Sequence, residues 1–574
     1  MRQKCLVAVI VSLAMALLLA AALAEGNQEA FLSKAALLRE QMLTDELVIA
    51  LGDAPAGEAG YAVLFSVSDG ATRAKVYSGS GDALNAAWDN AMERASAAID
   101  VNPLWVKADV VTDSRLMNRK RLTTKMRAEV NGCFLSGIAL DEGYAAAFPE
   151  GELNGTGFYD YKNGQLSLPA LNLCLEARGL EPLNKLPEGY ITFETRGWLC
   201  DEHNAVYPLI YRGANYGRRV VSPLDAEYTG HIIEQAADFL DSQITEDGSF
   251  IYGINAMTDK PLTSYNMLRH SGSVWALICR YRMQPDENLR ADIERAIDYL
   301  LSQVVYDVEG AAYLYEKKTN ECKLGGCGIA VVALTEYMDT FGSDRYTRQC
   351  VALGEGILKQ QQPDGGYWHV LDGGLNRTEE FRTVYYDGEC TFTLSRLYAL
   401  TGDRRWLDAA CRAVDHFIAN HYTQYRDHWI AYSLNEVTKY VDDRQDYYDF
   451  ALANAVDNYE VIRYEERIYP TNLELLLSTF ESWQRMDERG VDTGNFDVKG
   501  LLKAIDKEAK YQLSGFFFPE YAMYMENPGH VIGSFMVRTD DFRVRIDDVQ
   551  HNIGGYYLYW KNYDKMVAAG LNAD

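Results

Sequence analysis

Gly328-Ile329-Ala330-Val331-Val332-Ala333-Leu334 is apolar on every side of a helix, with small residues spread through it. A helix of this kind belongs in an inner layer, buried on most sides. Glu287-Asn288-Leu289-Arg290-Ala291-Asp292-Ile293-Glu294-Arg295, just upstream, carries one apolar stripe and much charge, as an outer layer would. The two kinds alternate from about Ser222 to the end of the chain. The periodicity predicts helix pairs at 226–244 and 266–283, 287–304 and 325–341, 346–362 and 387–401, 404–421 and 427–441, 445–462 and 471–486, and 498–513 and 548–566. The second members start near residues 268, 325, 387, 428, 470 and 550. Recurring helix pairs mean a solenoid or a closed ring. An open solenoid needs polar capping repeats, and none is visible. Six hairpins close an (α/α)6 toroid, so the fold is read as mainly α, with the toroid over 222–574.

The region before it has a different period. Residues 28–217 read as a smaller α+β domain. Tyr61–Val67 and Ala71–Ser80 form a hairpin through Asp69-Gly70, Asp82–Ile99 has helical spacing, and Trp105–Val111 alternates as a strand. The basic run Arg115, Arg119, Lys120, Arg121, Lys125 and Arg127 is read as a solvated face, with a polyanion contact as the lesser alternative. Residues 1–24 read as an export signal: Arg2 and Lys4 precede an apolar run that ends Ala22-Leu23-Ala24. An uncleaved N-terminal membrane anchor is the alternative. Both place the protein outside the cytoplasm: secreted, periplasmic or attached to the cell envelope.

The 574 residues carry 82 acidic against 55 basic side chains, a formal charge of −27. Phosphate backbones and anionic membranes repel such a chain, so nucleic acid is excluded as a partner. A composition that is 48% hydrophobic excludes a disordered acidic solubiliser. Ten cysteines without tight clustering are not a disulfide scaffold; most read as buried thiols, with Cys322 and Cys327 close enough for a loop disulfide. The sequence has no Gly-x-Ser-x-Gly elbow, phosphate loop or His-Glu-x-x-His. Cys390 or Cys327 with His551 falls short of the ligands a zinc site needs, so no metal and no cofactor is expected.

Two turns then carry a resemblance. Gln243-x3-Asp247-Gly248-Ser249-Phe250 and Gln362-x-Asp364-Gly365-Gly366-Tyr367-Trp368 resemble the Gln-Asp-Gly-aromatic turns of α/α-toroid proteins, as in terpenoid cyclases, six-hairpin glycosidases and related epimerases and lyases. Tyr386-Asp387-Gly388-Glu389, with the Leu394–Asp403 stretch and Trp406 after it, is similar to the same superfamily. The resemblance covers 222–574 and implies an architecture. It assigns no single family.

In a toroid the inner helices aim their N-termini at one mouth of the central cavity, where exposed N–H groups and dipole ends gather. The starts are polar here: Arg269 and His270; Tyr386, Asp387 and Glu389; Asp427, His428 and Trp429; Thr471, Asn472 and Glu474; Asp547, Asp548, Gln550, His551 and Asn552. Asp387, Asp427, Thr471 and Asp548 also suit N-caps, and Glu474 suits a capping box. Taken as a set they suggest carbohydrate chemistry, with Glu389 and Asp548 as the carboxylate pair and Asp387 and His551 assisting. Arg269, His270, Trp368, Tyr386, Asp427, His428, Asn472 and Gln550 are the expected substrate-binding residues.

The leading reading is therefore an exported glycoside hydrolase acting on an oligosaccharide or polysaccharide; lyase or epimerase chemistry would use the same cavity with His or Tyr as base. A noncatalytic glycan-binding protein of the cell envelope is the alternative. A terpenoid-cyclase-like enzyme fits less well, since Asp442-Asp443, Asp540-Asp541 and Asp547-Asp548 each lack a third acid at the required place. The acidic surplus points to neutral or cationic glycans, while Arg and His at the mouth leave an acidic sugar open.

Overall fold

A computed structural model describes residues 23–53, 60–128, 133–160, 163–213, 215–464, 469–537 and 542–571. The expected export signal falls almost wholly outside these residues, as does Asp540-Asp541. Among the described residues no helix is long and apolar enough to cross a membrane.

Among the described residues, twelve long helices build the C-terminal region. They are α1 (Ala226–Ser242), α2 (Met267–Met283), α3 (Glu287–Ser302), α4 (Leu324–Phe341), α5 (Thr347–Gln360), α6 (Tyr385–Thr401), α7 (Arg404–Ala419), α8 (His428–Val437), α9 (Gln445–Tyr464), α10 (Thr471–Arg489), α11 (Val498–Gln512) and α12 (Ile546–Ala568). The even-numbered helices touch in sequence, and α12 returns to α2, so the inner ring is closed. The odd-numbered helices pack outside it. Burial follows the sequence pattern. Every residue of α4 from Leu324 to Met338 is buried, whereas α3 buries only the stripe Leu289, Ile293, Ala296, Ile297 and Leu300.

The two Asp-Gly-aromatic turns have a common mechanical role. Asp247 and Asp364 accept hydrogen bonds from the N–H groups of Ser249 and Gly366, two residues on. Gly248 and Gly365 sit at φ of 85° and 98°, where a side chain is strained. A Cβ on either would also lie within 2.2 Å of a carbonyl oxygen of the next outer helix, Arg295 on α3 or Arg412 on α7. The turns thus seat each hairpin against its neighbour.

The preceding region holds an antiparallel sheet in the order Lys75–Gly81, Tyr61–Ser68, Trp105–Asn118, Gly189–Cys200, Gly137–Ala139, Ala147–Phe148, with Val206–Pro208 on the free edge of Gly189–Cys200. Tyr61–Ser68 is buried along its whole length because both faces are covered. Phe65 and Val67 pack under Trp88 and the helical residues 23–42; Ala62 and Leu64 join the same continuous core as the ring. The expected boundary near residue 220 is therefore not a gap in the core. The basic run lies on the exposed end of a strand and on the helix Arg119–Ala128, which buries only Leu122 and Met126. All nine cysteines among the described residues are free, and Cys322 and Cys327 form no disulfide.

Candidate active site

Three inner helices bring one residue each to a common point. His428 opens α8, Glu474 lies in the first turn of α10, and His551 lies in the second turn of α12. Their ligand-capable atoms lie within 4.8 Å of one another. His551 Nδ1 is 2.7 Å from Glu474 Oε2, and the Tyr432 hydroxyl donates to Glu474 Oε1 at 3.1 Å. His428 Nε2 points toward the same Glu474 oxygen at 3.9 Å and has no hydrogen-bond partner, although it is buried. The other ring nitrogen of His428 lies 3.4 Å from Asp427. Such spacing could hold a cation, with Asp427 and Tyr432 as outer supports. Neither Cys390 nor Cys327 joins this set; both are fully buried thiols whose proton affinity burial pushes up.

The two imidazoles are driven in opposite directions. Burial lowers His428 to about 3, so it stays neutral. Burial also disfavours charge on His551, but the Glu474 carboxylate outweighs it and raises His551 above its ordinary value. The ring centroids are 5.1 Å apart. Trp429, Tyr432, Trp275 and Phe392 continue the wall: Trp275 lies 6.1 Å from Trp429 and 5.5 Å from Tyr432, and Phe392 stacks on Tyr432 at 5.5 Å. Gly554 makes room for Glu474, since a Cβ there would lie 2.6 Å from Oε1.

The expected carboxylate pair is not assembled in this way. Glu389 is on α6 and Asp548 on α12, opposite places in the ring order. Asp548 is clasped by Arg545 through two bonds of 2.9 and 2.7 Å. Burial first, then the nearby Asp547, raises Asp548 to about 6 against that clasp. Glu389 is 1% exposed, and Oε2 has no hydrogen-bond partner. Burial, with the charges of Asp427 and Asp387 added, raises its carboxyl well above the ordinary range. Asp387 faces His369 at 3.2 Å rather than His551.

Capping also departs from expectation. Of the four expected caps, only Asp427 acts as one, accepting from Trp429 N at 2.9 Å. Asp387 and Asp548 lie inside their helices, Pro470 precedes Thr471 at the cap of α10, and Glu474 is turned to His551 instead of its own backbone. Of the expected binding residues, Arg269 pairs with Asp547 at 3.0 Å, and Gln550 lies against Gly272. Asn472 lines a cleft at the start of α10. Tyr386 packs against His369, and Trp368 lies under Arg377, outside the His428 group. His270 is a core residue: its Nδ1 meets the Tyr265 hydroxyl at 2.8 Å and its Nε2 the Ala296 carbonyl at 2.9 Å. Trp275, Tyr432 and Phe392 were not expected at a site, because mid-helix aromatics read as core. The Gly554-Gly555 pair one turn past His551 is the sequence signal that would have pointed to Glu474.

No family model and no curated protein matches this sequence. Solved structures do. A sugar epimerase from a ruminal bacterium is similar at 11% identity and a TM-score of 0.48, over 58% of this chain and 99% of its own. Cellobiose 2-epimerase from Bacillus thermoamylovorans B4167 is similar at 11% identity and a TM-score of 0.47, over 58% and 99%. A family 76 α-mannanase from Bacteroides thetaiotaomicron is similar at 10% identity and a TM-score of 0.43, over 59% and 97%.

Proposed function

We propose that this protein is an exported carbohydrate-processing enzyme that moves protons on a sugar, an isomerisation or epimerisation, at His428 and His551. The observation that carries this reading is the pair of neighbouring imidazoles whose proton affinities are driven in opposite directions, His428 down by burial and His551 up by Glu474. Groups whose environments push their pKa values apart divide the roles of acid and base. His428, neutral and with an unpartnered Nε2, is the base that takes a proton from the carbon beside the carbonyl of an open-chain sugar. His551, whose protonated form the Glu474 carboxylate favours, hydrogen-bonds the carbonyl oxygen and stabilises the enediolate as negative charge develops there. Delivery of the His551 proton to the opposite face of that carbon, with the His428 proton passing to solvent, gives the epimer; return of the His428 proton to the former carbonyl carbon, with His551 protonating its oxygen and taking the proton of the adjacent hydroxyl, gives the isomer. Trp275, Trp429, Tyr432 and Phe392 offer apolar faces to the sugar ring and exclude water.

Hydrolysis is the second reading. It is favoured by Glu389, whose carboxyl burial raises well above the ordinary range, the direction a general acid needs.

The test is incubation with neutral aldoses and oligosaccharides in deuterium oxide, with and without a chelator, followed by NMR. Deuterium at the carbon beside the carbonyl is expected, lost by roughly 100-fold or more in His428→Gln. Release of shorter sugars without deuterium incorporation would instead support hydrolysis. Exchange abolished by the chelator would assign the three residues to a cation.

A further inference from the structure

Beside His428 the ring region opens into a cleft of about 270 Å³. Tyr385 at the start of α6, Tyr425 and Arg426 in the loop before α8, Tyr469 and Asn472 at the entry to α10, and Glu508 of α11 line it. The Tyr385 ring meets His428 edge-on with centroids 5.6 Å apart, so one aromatic ring separates the cleft from the imidazole pair. This space lies near the lower end of the range for small-molecule sites, roughly 300 Å³. Tyr385, Tyr425 and Tyr469 are 43%, 40% and 52% exposed, in a ring whose other large aromatics are mostly buried. Three amphipathic rings around one opening present stacking faces and hydroxyls, the chemistry that holds a sugar.

Among the described residues, Arg426 is the only cationic side chain that lines the cleft, and no carboxylate pairs with it. Glu508, the only acidic residue among the described lining residues, is raised to about 8 by burial and is therefore uncharged at neutral pH. Among those residues Arg426 is thus the one charged side chain.

We infer that this cleft seats a second sugar unit of the substrate and that this unit carries a carboxylate, as a uronic acid does, held by Arg426. The guanidinium matches a carboxylate through two parallel N–H donors, and the tyrosines take the ring that bears it. The inference rests on the sugar-processing reading above and names its substrate class: a short oligosaccharide with an acidic unit next to the reacting one.

The test is calorimetric titration of the full chain with three probes: a neutral disaccharide, the disaccharide with glucuronate as its second unit, and a glucose phosphate. Deuterium exchange is followed on the same samples. The uronate is expected to bind about tenfold more tightly than the neutral disaccharide, the order expected of one charge-assisted pair. In Arg426→Gln that ratio is expected to fall to about one with the melting temperature unchanged. Equal binding of neutral and uronate sugars, or a preference that survives Arg426→Gln, would overturn the inference. An Arg426-dependent preference for the phosphate over the uronate would overturn the carboxylate assignment. Arg426-dependent uronate binding without deuterium exchange would keep the cleft and reject the proton-transfer reading; exchange without any uronate preference would do the reverse.

Discussion

At the scale of single residues, the site turns on one carboxylate serving two imidazoles. Glu474 is 2.7 Å from His551 and 3.9 Å from His428, yet only His551 is raised. The closer, hydrogen-bonded contact wins over burial, and the longer one does not. This predicts the pH profile. The base His428 is neutral at every pH above about 3, so it sets only a far-acid limit. The acid His551 works while protonated, so the alkaline limb of kcat/KM should lie above the ordinary histidine value of 6.5. In Glu474→Gln the raising charge is gone while burial remains, so that limb should move to lower pH. A limb unmoved by the substitution would remove His551 from the acid role. The histidines also show what the sequence could and could not reveal. His270, His428 and His551 all stand at inner-helix starts, and that much was legible. Their separation into one core residue and two site residues was not, because His270 is satisfied by Tyr265 and by Ala296 of a different hairpin. Nothing local to residues 266–283 encodes that partner.

At the scale of elements, the inner helices were legible because their burial is set by composition. A helix buried all round has no polar face to interrupt it, and α4 meets that condition along most of its length. Its glycines are less uniform than they look. A Cβ on Gly325 would meet Glu389 Oε2 at 1.8 Å and the Tyr386 ring at 2.4 Å. A Cβ on Gly326 would meet nothing closer than 3.6 Å. Gly325→Ala should therefore displace Glu389 and Tyr386 and lower stability by about 1–3 kcal/mol. Gly326→Ala should be neutral or raise it by up to about 1 kcal/mol, through helix propensity. Urea unfolding of the two variants separates these outcomes, and equal effects would mean that the close packing of α4 on α6 is not what fixes Gly325. Helix starts were less legible. Asp387 and Asp548 have the residue type of a cap but sit inside their helices, since capping depends on where the preceding loop turns.

At the scale of the whole molecule, ring closure could be read from the number of hairpins, whereas the attachment of the sheet could not. It depends on the long connection between α11 and α12, which reaches back to strands more than 400 residues earlier: the Tyr524 hydroxyl donates to Ser66 at 2.7 Å, and Ala74 N donates to Met523 O at 2.7 Å. No periodicity marks such contacts. One of them is ionic. Arg219, at the end of the sheet region, meets Glu520 at 2.7 Å with side chains 8% and 0% exposed, and it lies over the rings of Tyr207 and Phe518 at 3.9 and 4.5 Å. Desolvation offsets much of the attraction in a buried pair, so its presence contributes little net stability compared with an apolar replacement. Breaking it is different, because the remaining charge stays buried without a partner. Glu520→Gln should cost about 3–5 kcal/mol. Arg219→Met combined with Glu520→Leu should recover most of that loss. Guanidinium unfolding followed by near-ultraviolet dichroism provides the measurement. Since the sheet and the ring share one core, the single variant should shift one common transition rather than split off an early one. Two separated transitions in Glu520→Gln would show that the sheet can leave the ring intact, and that the shared core is a contact between independent units.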